Sequence, residues 1–279
     1  MMMLRAVAAA FACVVLSGAA LAAPCGEVVT IATHDSTTTR YAFGAPQGGA
    51  KPAAVLILLA GGGGVVNLDD GGCARDLTGN SLVRMAPVFR ELGFATAVVD
   101  APSDHNKDED GLRGFRSDRK HADDLGRIVA QLRARTGAPV WIAGTSRGSI
   151  SAVNAASRLK GTAAPDGIVL TSVLMVGSRG NKYWVRDTVY DHDLGAITLP
   201  TLIVGHALDK CLRSPPDDME RLAGKLSSTR KQVATVTGGP GWKGDWSLKA
   251  CAGRAPHGFN KQDRVVAEGI ARFVKGGRY

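Results

Sequence analysis

Apolar positions fall into two kinds of stretch along this chain. One kind is a short continuous run: residues 53–60, 94–99, 139–143, 168–176 and 201–205 are almost wholly apolar. Runs of this length suit strands buried on both faces. Residues 28–33 and 38–43 are shorter and rich in β-branched side chains, with His34, Asp35 and Ser36 between them, and read as an antiparallel hairpin. Residues 232–237 read as the last strand. In the second kind, apolar residues recur every third or fourth position, as one face of a helix requires. Leu82, Met85, Val88, Phe89 and Leu92 do so up to Gly93, a residue suited to the turn that ends a helix. Leu125, Ile128, Val129 and Leu132 mark a helix over 118–135, and helices also fit 149–159 and 217–226. Val265, Val266, Ile270 and Phe273 give the stripe of a closing helix over 261–275. Strands alternating with helices predict an α/β fold, with a mainly parallel central sheet and helices on both faces.

The start of the chain follows a different logic. Residues 1–5 are short and basic, residues 6–20 are apolar and small, and Ala20, Leu21 and Ala22 offer an A-x-A cleavage site. This predicts a signal peptide over 1–22 and one domain over 23–279, secreted or periplasmic. A lipoprotein anchor at Cys25 is the alternative, but Pro24 stands where a small residue is wanted. No other segment approaches a membrane span. Export permits disulfides among Cys25, Cys73, Cys211 and Cys251, whose wide spacing matches no zinc motif. The formal charge is +9, yet no Lys/Arg block or aromatic-interleaved patch argues for nucleic acid.

The run at 139–143 leads straight into Gly144, Thr145, Ser146, Arg147 and Gly148, and then into a helix-compatible stretch. A strand, a Gly-x-Ser-x-Gly turn and a helix make the context of a nucleophile elbow. The turn brings the flanking segments together, so the two positions beside the serine neighbourhood must lack side chains. With these residues the chain resembles the α/β-hydrolase family over essentially its whole mature length. The resemblance implies a catalytic triad in the order nucleophile, acid, base: Ser146, Asp209 after the strand at 201–205, and His257 between the last strand and the last helix. A hydroxyl needs an imidazole to take its proton, and the imidazole needs a carboxylate to fix its tautomer. Asp191 and Asp193 are rival acids. His206 is a rival base that breaks the family order, while His34 and His121 read as surface or turn residues.

Gly61, Gly62, Gly63 and Gly64 follow the strand at 53–60, where the family places half of its oxyanion hole. Gly62 is the expected donor, with the N–H of Arg147 as the second; Gly61, Gly63 and Trp242 are further substrate-binding candidates. A phosphate cradle is disfavoured because no Lys-Ser/Thr follows. Asp104, Asn106, Asp108 and Asp110 resemble the front of a calcium loop, but Ser117 stands where a bidentate glutamate belongs, so a solvated loop is preferred. Residues 177–196 are too few for a large lid. The resulting expectation is an exported serine esterase of the α/β-hydrolase fold, with an open site for small or polymer-borne esters and no cofactor or metal. The alternatives are a peptidase or amidase, and a binding protein that has lost the chemistry. A working triad would also bring Cys211, near the acid, beside Cys251, near the base, which favours a bond between them. Cys25 and Cys73 would then pair near the amino-terminal strands or stay reduced.

Overall fold

The computed structural model describes residues 25–107, 111–178 and 185–279. The expected leader over 1–22, Asp108 and Asp110 of the acidic loop, and Tyr183 and Trp184 within 177–196 lie outside the described residues. Eight strands form one sheet: β1 (Glu27–Ala32), β2 (Thr38–Gly44), β3 (Val55–Leu59), β4 (Ala95–Val99), β5 (Val140–Thr145), β6 (Gly167–Thr171), β7 (Thr201–His206) and β8 (Lys231–Val236). Their order is β1-β2-β4-β3-β5-β6-β7-β8. β1 and β2 form the antiparallel hairpin, β2 joins β4 antiparallel, and every later pairing is parallel.

The helices are α1 (Ser81–Glu91), α2 (Arg119–Thr136), α3 (Gly148–Arg158), α4 (Met219–Gly224) and α5 (Asp263–Val274). Because side chains alternate along a strand, Ile57 of β3 shares one continuous buried cluster with Leu125, Ile128, Val153 and Leu222 of α2, α3 and α4 on one face. Leu56 and Leu58 pack with Phe89, Val266, Ile270 and Phe273 of α1 and α5 on the other. Both faces are thus covered, which explains why the central strands are apolar without interruption. Helix ends follow the local chemistry. Asn80 Oδ1 accepts from Leu82 N–H at 3.1 Å to start α1, and Asp118 accepts from Lys120 N–H at 2.8 Å to start α2.

Four expectations are corrected. The apolar run at 168–176 is strand only to Thr171, because Ser172 turns to φ 45° and its N–H bonds Val204 O instead. The helix at 217–226 shortens to α4, preceded by a tight turn over Pro216–Asp218. Val265 is 58% exposed, so the buried stripe of α5 runs through Val266, Ala267, Ile270 and Phe273. His121 is buried inside α2 and engaged by Ser151, neither at the surface nor in a turn, while His34 lies in the turn as expected but is buried there against Asp124.

Candidate active site

The elbow is built from contacts that only glycine permits. A Cβ on Gly144 would lie 2.3 Å from Gly148 O, and one on Gly148 would lie 2.3 Å from Leu59 O. Between them Ser146 adopts φ 51°, a left-handed conformation that costs on the order of 1–3 kcal/mol in a non-glycine residue. Its neighbours hold it there. Ser146 N–H donates to Thr171 O at 2.9 Å, while Ser149 donates to Ser146 O from its N–H at 3.0 Å and its hydroxyl at 2.6 Å. The serine hydroxyl is thereby presented at the carboxyl edge of β5, at the head of α3.

Asp209 and His257 meet at the same edge. His257 Nδ1–H donates to Asp209 Oδ2 at 2.8 Å, and Asp209 Oδ1 accepts from Cys211 N–H at 2.8 Å. Both side chains are almost fully buried. The other ring nitrogen, His257 Nε2, is buried and has no partner among the described residues. Ser146 and His257 line one cavity of about 250 Å³, together with Gly61, Gly62, Asn80 and Thr145. The rival acids are occupied locally: Asp191 Oδ2 accepts from Thr188 N–H at 2.7 Å, and Asp193 caps Ala196 N–H at 3.1 Å. His206 is also spoken for. Its Nδ1 accepts from Leu208 N–H, and its Nε2–H faces Gly238 O and Gln262 Oε1, each at 3.0 Å.

His257 is braced by residues that the sequence did not single out. Ser172 Oγ donates to His257 O at 2.5 Å. Arg84, on α1, donates to Gly258 O at 2.7 Å, to Gly253 O at 3.0 Å and to Gly79 O, and pairs with Asp263 at 2.8 Å. The Cys211–Cys251 disulfide ties the segment after Asp209 to the segment before His257, and Cys25–Cys73 ties the start of β1 to the loop before α1. Closing 40 residues stabilises by about 4 kcal/mol in the chain-entropy model. Cys251 also walls the cavity beside Ser146.

The glycine loop is anchored from beneath. Gly64 N–H bonds Gly61 O at 3.1 Å, and Gly62 at φ 58° takes the turn position that glycine supplies without strain. Gly61 approaches Ser146 so closely that a Cβ there would lie 3.0 Å from Ser146 Cβ. Arg116, buried to 1% exposure, reaches up from the segment before α2 and donates to Ala60 O at 3.0 Å and to Ser151 Oγ at 2.9 Å. Burial, with Arg147 nearby, pushes its guanidinium pKa well down. No local pattern marks Arg116, because its partners lie far away in sequence. Gly62, Ser146, Arg147 and Cys251 also border a second cavity of about 350 Å³ with Leu174, Arg213 and Lys249. Gly63 and Trp242 line neither cavity; Gly63 O accepts from Leu112 N–H, and Trp242 Nε1–H closes its own loop onto Asp245 O.

No protein-family model and no curated protein sequence matches the chain. Solved structures do. Est1E from Butyrivibrio proteoclasticus is similar at 14% identity and a TM-score of 0.57, over 89% of this chain and 97% of that one. A 2,6-dihydroxy-pseudo-oxynicotine hydrolase is similar at 15% identity and a TM-score of 0.59, over 91% of this chain and 70% of the other. The thermophilic esterase Est2 from Thermogutta terrifontis is similar at 15% identity and a TM-score of 0.53, over 78% and 83%. At these identities the likeness concerns the fold, and the fold is that of the α/β-hydrolases.

Proposed function

We propose that this chain, carrying the α/β-hydrolase fold, is an exported serine hydrolase that cleaves carboxylic esters through an acyl-serine intermediate. One observation carries the reading: His257, oriented by Asp209, holds a buried and unpartnered Nε2 at the cavity that Ser146 lines. Asp209 fixes the Nδ1–H tautomer, so Nε2 is left as the acceptor that a serine hydroxyl needs. Ser146 Oγ attacks the ester carbonyl while His257 takes its proton. The oxyanion is met by the N–H groups of Gly62 and Arg147. His257 returns the proton to the leaving alcohol, and water then reverses the sequence to release the acid and restore Ser146.

Two moderate cavities meeting at Ser146 favour small or polymer-borne esters over long acyl chains. Est1E has been solved with ferulic acid bound, which makes aromatic acyl groups the first to try on this chain. Two disulfides support an oxidising compartment, and no helix among the described residues is long and apolar enough to cross a membrane. Ser146→Ala tests the reading. Hydrolysis of a short aryl ester should disappear while the unfolding temperature stays within a few degrees, since the hydroxyl contributes little to packing. Near-normal turnover by the variant would end the assignment, and turnover of peptides or amides in preference to esters by the parent protein would redirect it.

A further inference from the structure

A second cluster of ionisable side chains lies away from the triad, where the turn after β1 meets the segment after β4. His34, Asp104 and His105 bring one ligand atom each to within 4.8 Å of one another. Asp104 Oδ2 is 3.1 Å from His34 Nε2 and 3.6 Å from His105 Nε2. In a tetrahedral site with metal–ligand bonds of about 2.0–2.1 Å, neighbouring donors stand roughly 3.3 Å apart. The two separations bracket that value.

The support around these groups is already in place. His34 Nδ1–H donates to Asp124 Oδ2 at 2.6 Å, and Asp124 Oδ1 accepts the backbone N–H of the same histidine at 2.9 Å. Asp124 is 3% exposed and reaches the site from α2. A carboxylate that holds one imidazole nitrogen and leaves the other aimed at a cation is the usual arrangement behind a metal-bound histidine. The ring is fixed further by Phe115, whose centroid is 4.7 Å from that of His34 and 4.3 Å from that of His105, the latter pair stacked. The segment bearing Asp104 and His105 is pinned to β2: Ser103 N–H donates to Thr38 O at 2.8 Å, and His105 N–H closes onto Pro102 O at 2.8 Å. Asp104 and His105 are partly exposed, which leaves an approach for an ion and room for a water ligand.

We infer that His34, Asp104 and His105 form a binding site for one zinc-class divalent ion, with Asp124 as the carboxylate behind His34. Two imidazoles and one carboxylate suit zinc rather than calcium or magnesium, which take oxygen donors. On binding, the ion takes the Nε2 lone pair of His34 and releases any proton held there to solvent. It would tie the β1–β2 turn to the segment after β4, beside the Phe115–Arg116 step that anchors the glycine loop. The site is separate from Ser146, so the inference stands or falls independently of the proposed hydrolysis.

The test uses the whole mature protein, stripped with a chelator and titrated with zinc chloride against a chromophoric competitor. One equivalent should bind, and the unfolding temperature should rise with zinc. His105→Ala and Asp104→Ala should each weaken binding at least tenfold and abolish the thermal shift, and Asp124→Asn should weaken binding by about 10- to 100-fold. The two exposed substitutions leave the core untouched, so folding of those variants, checked by circular dichroism, is not at issue. Failure of the parent protein to bind one equivalent, or unchanged binding by His105→Ala and Asp104→Ala, would overturn the site.

Discussion

Two buried histidine–aspartate pairs stand out among the described residues, and the third group beside each decides what the pair can do. In His257–Asp209 the carboxylate bonds Nδ1 at 2.8 Å, and Nε2 is left without a partner at a cavity lined by a serine. In His34–Asp124 the carboxylate bonds Nδ1 at 2.6 Å, but Nε2 faces the carboxylate of Asp104 at 3.1 Å. The first imidazole is poised to accept a proton from a hydroxyl. The second is poised to stay protonated or to meet a cation. Burial pushes the pKa of His34 down, but the hydrogen bonds that Asp124 and Asp104 accept from its ring outweigh it and raise it overall. A histidine paired with an aspartate is therefore not in itself a catalytic signature; the neighbour of the free nitrogen makes it one.

Reciprocal substitutions break this comparison most sharply. Asp209→Asn should lower kcat by about 10³- to 10⁴-fold, the scale expected when an imidazole loses the carboxylate that fixes its tautomer. Asp124→Asn should leave kcat within about threefold and lower stability by roughly 1–3 kcal/mol, because a buried pair loses its charge complement. Steady-state kinetics on an aryl ester and urea unfolding separate the two effects. Asp191→Asn and Asp193→Asn should change neither rate nor stability much, since both carboxylates only cap local turns. A large rate loss at Asp124, Asp191 or Asp193 with little at Asp209 would reverse the roles given to the two pairs.

A third histidine sharpens the contrast with a smaller effect. His121 is buried without a carboxylate; its Nε2 is 2.9 Å from Ser151 Oγ, which also accepts from Arg116 at 2.9 Å. A hydroxyl that accepts from Arg116 keeps its own proton to offer to His121 Nε2, an arrangement that suits the neutral ring. Burial first, and the Arg116 charge second, push its pKa down to about 3. Below the unfolded value of 6.5 the unfolded chain binds a proton that the folded chain refuses, so this group's contribution to stability is present above pH 6.5 and is lost as pH falls toward 3. The slope is roughly 1.4 kcal/mol per pH unit over that window. His34 contributes with the opposite sign, stabilising below its unfolded pKa and losing that contribution as pH rises through its raised folded value. Unfolding free energies measured from pH 7 to pH 4 should flatten in His121→Gln, and an unchanged acid limb would contradict the neutral assignment.

The features legible in the sequence were those fixed by neighbours along the chain. The elbow was readable because Gly144 and Gly148 answer a local steric demand, and the alternation of strands and helices because periodicity is a local property. Features set by distant partners were legible only where the family order places them, as with Asp209 and His257 and, through them, Cys211 and Cys251; elsewhere they were not. Arg116 meets Ala60 and Ser151, Arg84 meets Gly258 and Asp263, and His34 meets Asp124 some 90 residues away. An apolar run also cannot show where a strand stops, so the turn at Ser172 was hidden inside 168–176. In α5 the adjacent Val265 and Val266 lie about 100° apart around the axis, so only one can sit at the centre of the buried stripe. That one is Val266.

The central claim is that Ser146 is a nucleophile activated by His257. It is tested most directly by treating the folded protein with a fluorophosphonate and locating the adduct by peptide mass spectrometry. One equivalent should attach to Ser146, and the labelling rate should fall by orders of magnitude in His257→Ala while that variant remains folded. Labelling at another residue, or equal labelling of Ser146 with and without His257, would contradict the account.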